Sequence, residues 1–474
     1  MVRQISRRAV LRLLGGASVL TALSACSPPS PTPTPAPPAE APKPAAPPTP
    51  TPAAAAPVSA PPARIKFQSR GGDAILKVTQ TLVAEFKKAF PRIEVEIDHT
   101  TGDHFQKVQL GVAAGNPPDV YFDASLRTGG LGWKKGIIED LEPYLRRDFN
   151  PDEHIKEMWI AMVYDGRRIA VPFDSGAMAL FFNIDLFNQA GLPLPDPKKR
   201  LTWDELLQLA TRLTLDVNGK HPGEPGFDPT RIKQYGFAPT LLHGHEHWIY
   251  TLGGEIINKE GKVTVASPEA IEGYQKLADW GVKHFVGPSP EYKQANPVGF
   301  AAGNVAMSEE GVWMLGRTND AKINWGVAPF PMQKIPVSYG HYSGQSMTRM
   351  SKAKDAAWQW MKWVSLDKEG QTILFKGGLL QPTRKDLIEA FINDSQPPAK
   401  QYREVFYNEL DPNTIRWPGQ HQNSFYMGYR QYWIDAWNPR YDPVLRGKKP
   451  YREIAQEVQE ILQRIIDTGE PATQ

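Results

Sequence analysis

Three observations predict an α/β fold in two lobes. The folded part opens as strand, helix, strand, helix, strand, the start of an open sheet whose ligands sit beyond the carboxyl ends of its strands. The same alternation resumes near residue 168 and continues past residue 325. About 410 of the 474 residues follow the N-terminal region, more than one hydrophobic core usually serves.

Each element follows from local pattern. Residues 64–69 read as a first strand and Gly71-Gly72-Asp73 as a turn, with residues 74–90 an amphipathic helix whose apolar positions recur at helical spacing. Residues 93–97 alternate as a second strand. Residues 104–114 suit a helix that Asn116-Pro117-Pro118 breaks before a short strand at 119–122. Residues 168–173 form a strand running into a turn at Asp174-Ser175-Gly176, followed by a strand at 178–183. Thr202 and Glu205 make a capping box that opens a helix. Gly253-Gly254 turns the chain, Ser267 caps a helix over about 270–283, and residues 325–328 form a strand leading to Pro329-Phe330-Pro331.

The N-terminal region reads differently. Arg7-Arg8 precedes an apolar run at 13–25, shorter than the roughly 20 residues a membrane span needs, so residues 1–25 read as an export signal, and Ser6-Arg7-Arg8 resembles the twin-arginine type. Leu23-Ser24-Ala25-Cys26 resembles a lipobox, which implies a lipid anchor on Cys26, the only cysteine, and leaves no disulfide or thiol chemistry. The segment from Cys26 to residue 63 is mostly Pro, Ala, Thr and Ser, and reads as an unfolded tether. The formal net charge is +3 with dispersed Lys and Arg and no basic stripe, which argues against a nucleic-acid partner. Thirteen Trp, 16 Tyr and 19 Phe suit stacking on sugar faces as well as core packing. No nucleophile elbow, phosphate loop or kinase signature points to catalysis.

Several segments, in order, resemble the bacterial extracellular solute-binding proteins of ABC importers, the sugar-binding and maltodextrin-binding type. They are Asn116-Pro117-Pro118-Asp119-Val120, Val171-Pro172-Phe173 leading to Phe182-Asn183, Leu201 to Leu206, Phe300 to Met307, Gly311-Val312-Trp313 and Ala357 to Met361. The resemblance implies a periplasmic-binding-protein-like (type II) fold, with a ligand cleft between two α/β lobes and several hinge crossovers. The first lobe would hold residues 64–173 and 330–384, and the second 174–329 and 385–474. It also implies an exported monomer that delivers a mono- or oligosaccharide to ABC permease subunits, with no enzyme activity and no cofactor or metal.

The candidate ligand residues have separate warrants. Asp123, Ser125 and the neighbouring Arg127 follow a strand at the sheet's ligand edge, as do Asp174 and Ser175. Glu310, just before Gly311-Val312-Trp313, is a candidate acceptor for hydroxyls, with a solvated surface carboxylate as the alternative. By resemblance, Gly72 and Asp73 belong to a first-lobe ligand loop, and Trp313 and Tyr426 fall where relatives present aromatic platforms. Tyr342 and Ser343 lie in a glycine-bracketed loop, and Trp417 stands beside Pro418. Core or loop packing is the alternative for these. His243 and His245, in His243-Gly244-His245-Glu246-His247, read as ligand contacts or helix entry, with zinc or copper binding the lesser reading. Other solutes (glycerol phosphate, polyamine, peptide) stay open, as does a secreted glycoside hydrolase using Asp123, Asp174 and Glu310.

Overall fold

The computed structural model describes residues 62–123, 129–164, 166–239, 246–290, 298–417 and 423–472, without the side chains of 160, 161, 174 and 423–428. Its strands are β1 (Ala63–Arg70), β2 (Ile93–Thr100), β3 (Val120–Asp123), β4 (Val163–Tyr164), β5 (Arg167–Arg168), β6 (Val171–Asn183), β7 (Leu215–Asp216), β8 (Ile232–Ala238), β9 (Val305–Gly311), β10 (Trp325–Ala328), β11 (Ser338–Met347) and β12 (Ile415–Arg416). The helices are α1 (Asp73–Ala89), α2 (His104–Ala113), α3 (Gly129–Lys134), α4 (Glu142–Asp148), α5 (Ile184–Gln189), α6 (Trp203–Leu213), α7 (Glu246–Tyr250) and α8 (Pro268–Val282). After them come α9 (Leu315–Asp320), α10 (Lys354–Ser365), α11 (Lys368–Lys376), α12 (Ile388–Ile392), α13 (Lys400–Asn408), α14 (Asn423–Leu445) and α15 (Ala455–Thr468).

The main sheet runs β2-β1-β3-β11-β6-β9-β8-β7, with β10 on β6 and β12 on β11. At one end β2, β1 and β3 are parallel, and at the other β8 and β9 are parallel. Between them lie two long antiparallel strands. The first seven residues of β6, Val171 to Ala177, run beside β11, and the rest, from Met178, pair with β9 and β10. One strand therefore passes from one half of the sheet to the other. A register shift between Ser343 and Gly344 lets β11 bend while keeping pairs with both β6 and β3.

Two expectations are corrected here. Asp174-Ser175-Gly176 is not a turn but the middle of β6, because β11 supplies a ladder partner for every one of those residues. Tyr342 and Ser343 are not in a loop but in β11, all ten residues of which are buried. The glycines that suggested a loop are there for space. A Cβ on Gly340 would lie 2.4 Å from Trp417 Cε3, and one on Gly344 would lie 2.8 Å from Ala170 Cβ.

The first half packs α1 and α10 on its strands. Phe67 and Phe86 both meet Trp360, with ring centroids 5.3 and 5.2 Å away. The second half has its own cluster, in which Phe181 stacks on Trp325 at 4.9 Å and Trp203 lies 4.4 Å from Trp248. Thr202 and Glu205 exchange both capping hydrogen bonds at the start of α6, and Ser267 Oγ accepts from Ala270 N at the start of α8. The C-terminal region is not confined to one half. α13 packs on β6 and β10, whereas α14 touches both α3 and α8.

Candidate functional site

A cavity of about 710 Å³ opens where the carboxyl ends of β1 and β3 meet α9 and the joining strand β11. That volume lies within the ~300–1,000 Å³ typical of small-molecule sites. Arg70 ends β1, and Gly72 to Ile75 form the first turn of α1. Gly72 is the N-cap and offers no side-chain acceptor; its carbonyl takes the N–H groups of Ile75 at 3.1 Å and Leu76 at 3.2 Å, so those of Asp73 and Ala74 are left to solvent or ligand. α2 contributes its start, where Asp103 Oδ1 accepts from Phe105 N at 2.9 Å and Gln106 N at 3.0 Å. Phe122, Leu131 and Lys135 complete that wall.

The opposite wall is Trp313, Gly316 and Arg317. Trp313 is half-buried and its six-membered ring lies against Gly311, where an added Cβ would fall 2.1 Å from Cζ3. The His341 ring meets the indole nearly at right angles, 82° with centroids 4.2 Å apart. The indole is thus held from two sides. His341 and Ser343 come from β11, and Gln431 and Tyr432 from α14. The walls also touch beside the cavity: Gly378, at φ +69°, lies so close to Gly316 that a Cβ would approach its nitrogen to 2.4 Å.

The fold also buries several polar groups. His104 Nε2 is 3.4 Å from Asp123 Oδ1, and Gln68 Nε2 donates to His104 O at 2.7 Å. Tyr250 and Tyr339 hydroxyls donate to Glu246 Oε2 at 3.3 and 2.9 Å, and His247 Nε2 lies 3.0 Å from Glu309 Oε2. Burial raises the Tyr342 hydroxyl pKa well above its usual value, against the pull of Arg430. Among the described residues, no group of three or more His, Cys, Asp or Glu side chains is placed to hold a metal ion.

Of the residues singled out from sequence, Gly72, Asp73, Trp313 and Ser343 line the cavity. Asp123 and Ser175 are fully buried behind it; Asp123 faces His104, and Ser175 Oγ donates to Ser343 O at 3.4 Å. Glu310 accepts from Ser308 Oγ at 3.0 Å on β9 and is not on the cavity wall. Tyr342 and Trp417 are core residues, with Trp417 wholly enclosed over Gly340, so neither offers a face to a solute. Ser125, Arg127, His243 and His245 lie outside the described residues, as do the side chains of Asp174 and Tyr426.

Sequence reasoning missed Arg70, Asp103, His104, Lys135, Arg317, His341 and Tyr432 on the wall. Arg70 was within reach, since it follows a strand just as Asp123 does. Asp103 was visible as a helix N-cap. Lys135 and Arg317 carry no local signal, because only the tertiary fold brings them to the cavity.

Residues 74–371 match the family described as bacterial extracellular solute-binding protein. The maltotriose-binding protein of Pyrococcus abyssi is 24% identical over 302 residues, 62% of this chain and 60% of that protein. The maltodextrin-binding protein MdxE of Bacillus subtilis is 24% identical over 275 residues, 56% of this chain and 60% of that one. The chain thus aligns with about 60% of the length of these relatives. An ABC substrate-binding protein of Listeria monocytogenes, solved with cycloalternan, superposes with a TM-score of 0.72 at 21% identity, covering 85% of this chain and 99% of that one.

Proposed function

The chain belongs to the bacterial extracellular solute-binding protein family, and from that premise we propose that it captures an oligosaccharide and delivers it to the permease of an ABC importer. The family is one of exported binding proteins. The observation that carries the sugar reading is the cavity of about 710 Å³ walled from both halves of the sheet, with half-buried Trp313 on one side. An indole face stacks on the apolar C–H face of a sugar, while Asp73, Asp103 and Ser343 offer groups for its hydroxyls.

A solute touching both walls favours a closed arrangement only by as much as it binds that arrangement better than the open one. The joining strands β6 and β11 and the chain near Arg384 are the proposed hinges, so lobe closure is what the permease reads. Lipid on Cys26 and the proline-rich segment would hold this receptor near its permease as a tethered monomer, raising the effective concentration of the pair. Among the described residues no helix is long and apolar enough to cross a membrane.

The test is a thermal-shift screen of oligosaccharides, glycerol phosphates and polyamines against the purified protein. A sugar at 100 times its Kd adds ~2.7 kcal/mol of stability. Failure of every sugar to raise the melting temperature refutes the carbohydrate assignment, and release of shorter sugars on incubation would favour a hydrolase instead.

A further inference from the structure

We infer that the captured saccharide carries an anionic group, a carboxylate or a phosphate; the inference rests on the cavity being the solute site. Among the described residues, three cations stand on its wall, Arg70, Lys135 and Arg317, against two carboxylates, Asp73 and Asp103. Asp103 is partly committed already, because its Oδ1 accepts two N–H groups of α2. Lys135 and Arg317 form no ion pair with any described residue. They stand on different sides, Lys135 just after α3 in the first half and Arg317 in α9 of the second.

This placement decides between solute classes. When the walls close on a solute, water leaves the cations, and neutral hydroxyls repay that lost hydration poorly. A carboxylate or phosphate repays it with charge-assisted hydrogen bonds, and the planar guanidinium fork suits either group. A polyamine would bring more positive charge to a wall that already has an excess of it. Trp313 supplies what a sugar body needs, so one solute with an apolar ring face and an anionic substituent uses both features.

The experiment is calorimetric titration of the purified protein with matched pairs: trigalacturonate against neutral galactotriose, and maltose 1-phosphate against maltose. The two pairs separate carboxylate from phosphate. The expected result is that one acidic member binds about tenfold or more tightly than its neutral partner, with an affinity that falls as salt rises. Lys135→Gln and Arg317→Gln should each shrink that acid-to-neutral ratio several-fold, with the ligand-free melting temperature confirming that both variants fold. Neutral members binding as well as acidic ones, or a ratio unmoved by both substitutions, overturns this inference and leaves the carbohydrate reading standing. No binding by any saccharide overturns both.

Discussion

Replacing Gly311 with alanine is the sharpest probe of the aromatic wall. Gly311 has φ −117° and ψ −176°, extended backbone open to any residue, so the substitution carries no backbone strain. Its effect is steric alone. The new methyl would fall 2.1, 2.5 and 2.7 Å from Cζ3, Cε3 and Cη2 of Trp313, where carbon atoms in contact prefer about 3.5–4.0 Å. Overpacking of this kind costs about 1–3 kcal/mol where the ring stays. Trp313 is half-buried on the cavity side, so the ring swings away instead and loses its edge contact with His341, worth about 0.5–1.5 kcal/mol, along with its stacking position. The predicted outcome is a fall in saccharide affinity of about tenfold or more, equal to about 1.4 kcal/mol, with a small drop in melting temperature. Titration calorimetry with the best saccharide from the screen reads it. A double-mutant cycle with Trp313→Ala shows whether the route is the indole, since coupled neighbours are non-additive. Wild-type affinity in Gly311→Ala, or an equal loss in the Trp313→Ala background, would show that the Trp313 indole does not hold the saccharide.

Three further outcomes follow, two from the structure and one, at Cys26 outside the described residues, from the sequence. His154 is buried, its Nδ1 lies 2.9 Å from Thr383 Oγ1, and burial, aided by Arg384, lowers its pKa from 6.5 to about 4. Its contribution is therefore fully present above pH 6.5 and is lost as pH falls toward 4, up to about 3 kcal/mol; His154→Gln should flatten denaturation midpoints across that window, and an unchanged slope would contradict this. Arg200 makes a bidentate pair with nearly inaccessible Glu409 at 2.7 and 2.9 Å and also donates to Phe330 O and Ser338 Oγ, tying down the crossing between β10 and β11. Arg200→Met strands that carboxylate and should cost about 3–5 kcal/mol by urea denaturation, and a loss below 1 kcal/mol would mean the pair is dispensable. Cys26→Ser should move the protein from the membrane fraction to the soluble one with unchanged saccharide affinity, and retention on membranes would argue against the lipid anchor.

What could be read from sequence was set by how local the cause was. The β1-α1-β2-α2-β3 order follows from hydrophobic period and from punctuation such as Asn116-Pro117-Pro118, and the Thr202/Glu205 box needs only four residues. The joining strands were hidden. Asp174-Ser175-Gly176 has turn composition, yet a ladder partner more than 160 positions away makes it strand, and glycines beside Tyr342 make room for Trp417 and Ala170 rather than marking a loop. The same holds at the cavity. Gly72, Asp73 and Trp313 were reachable through strand ends and family likeness, whereas Trp417, with identical side-chain chemistry to Trp313, turned inward because Gly340 leaves it a slot. Lys135 and Arg317 reach one cavity only through the tertiary fold.

Capture without turnover is tested by one titration. The purified protein is titrated by calorimetry with the saccharide that most raises its melting temperature, and the sugar is then recovered and weighed by mass spectrometry. One-to-one binding with the sugar recovered intact is the predicted result. Binding by no saccharide, or accumulation of cleaved sugar beyond one equivalent of protein, would contradict it.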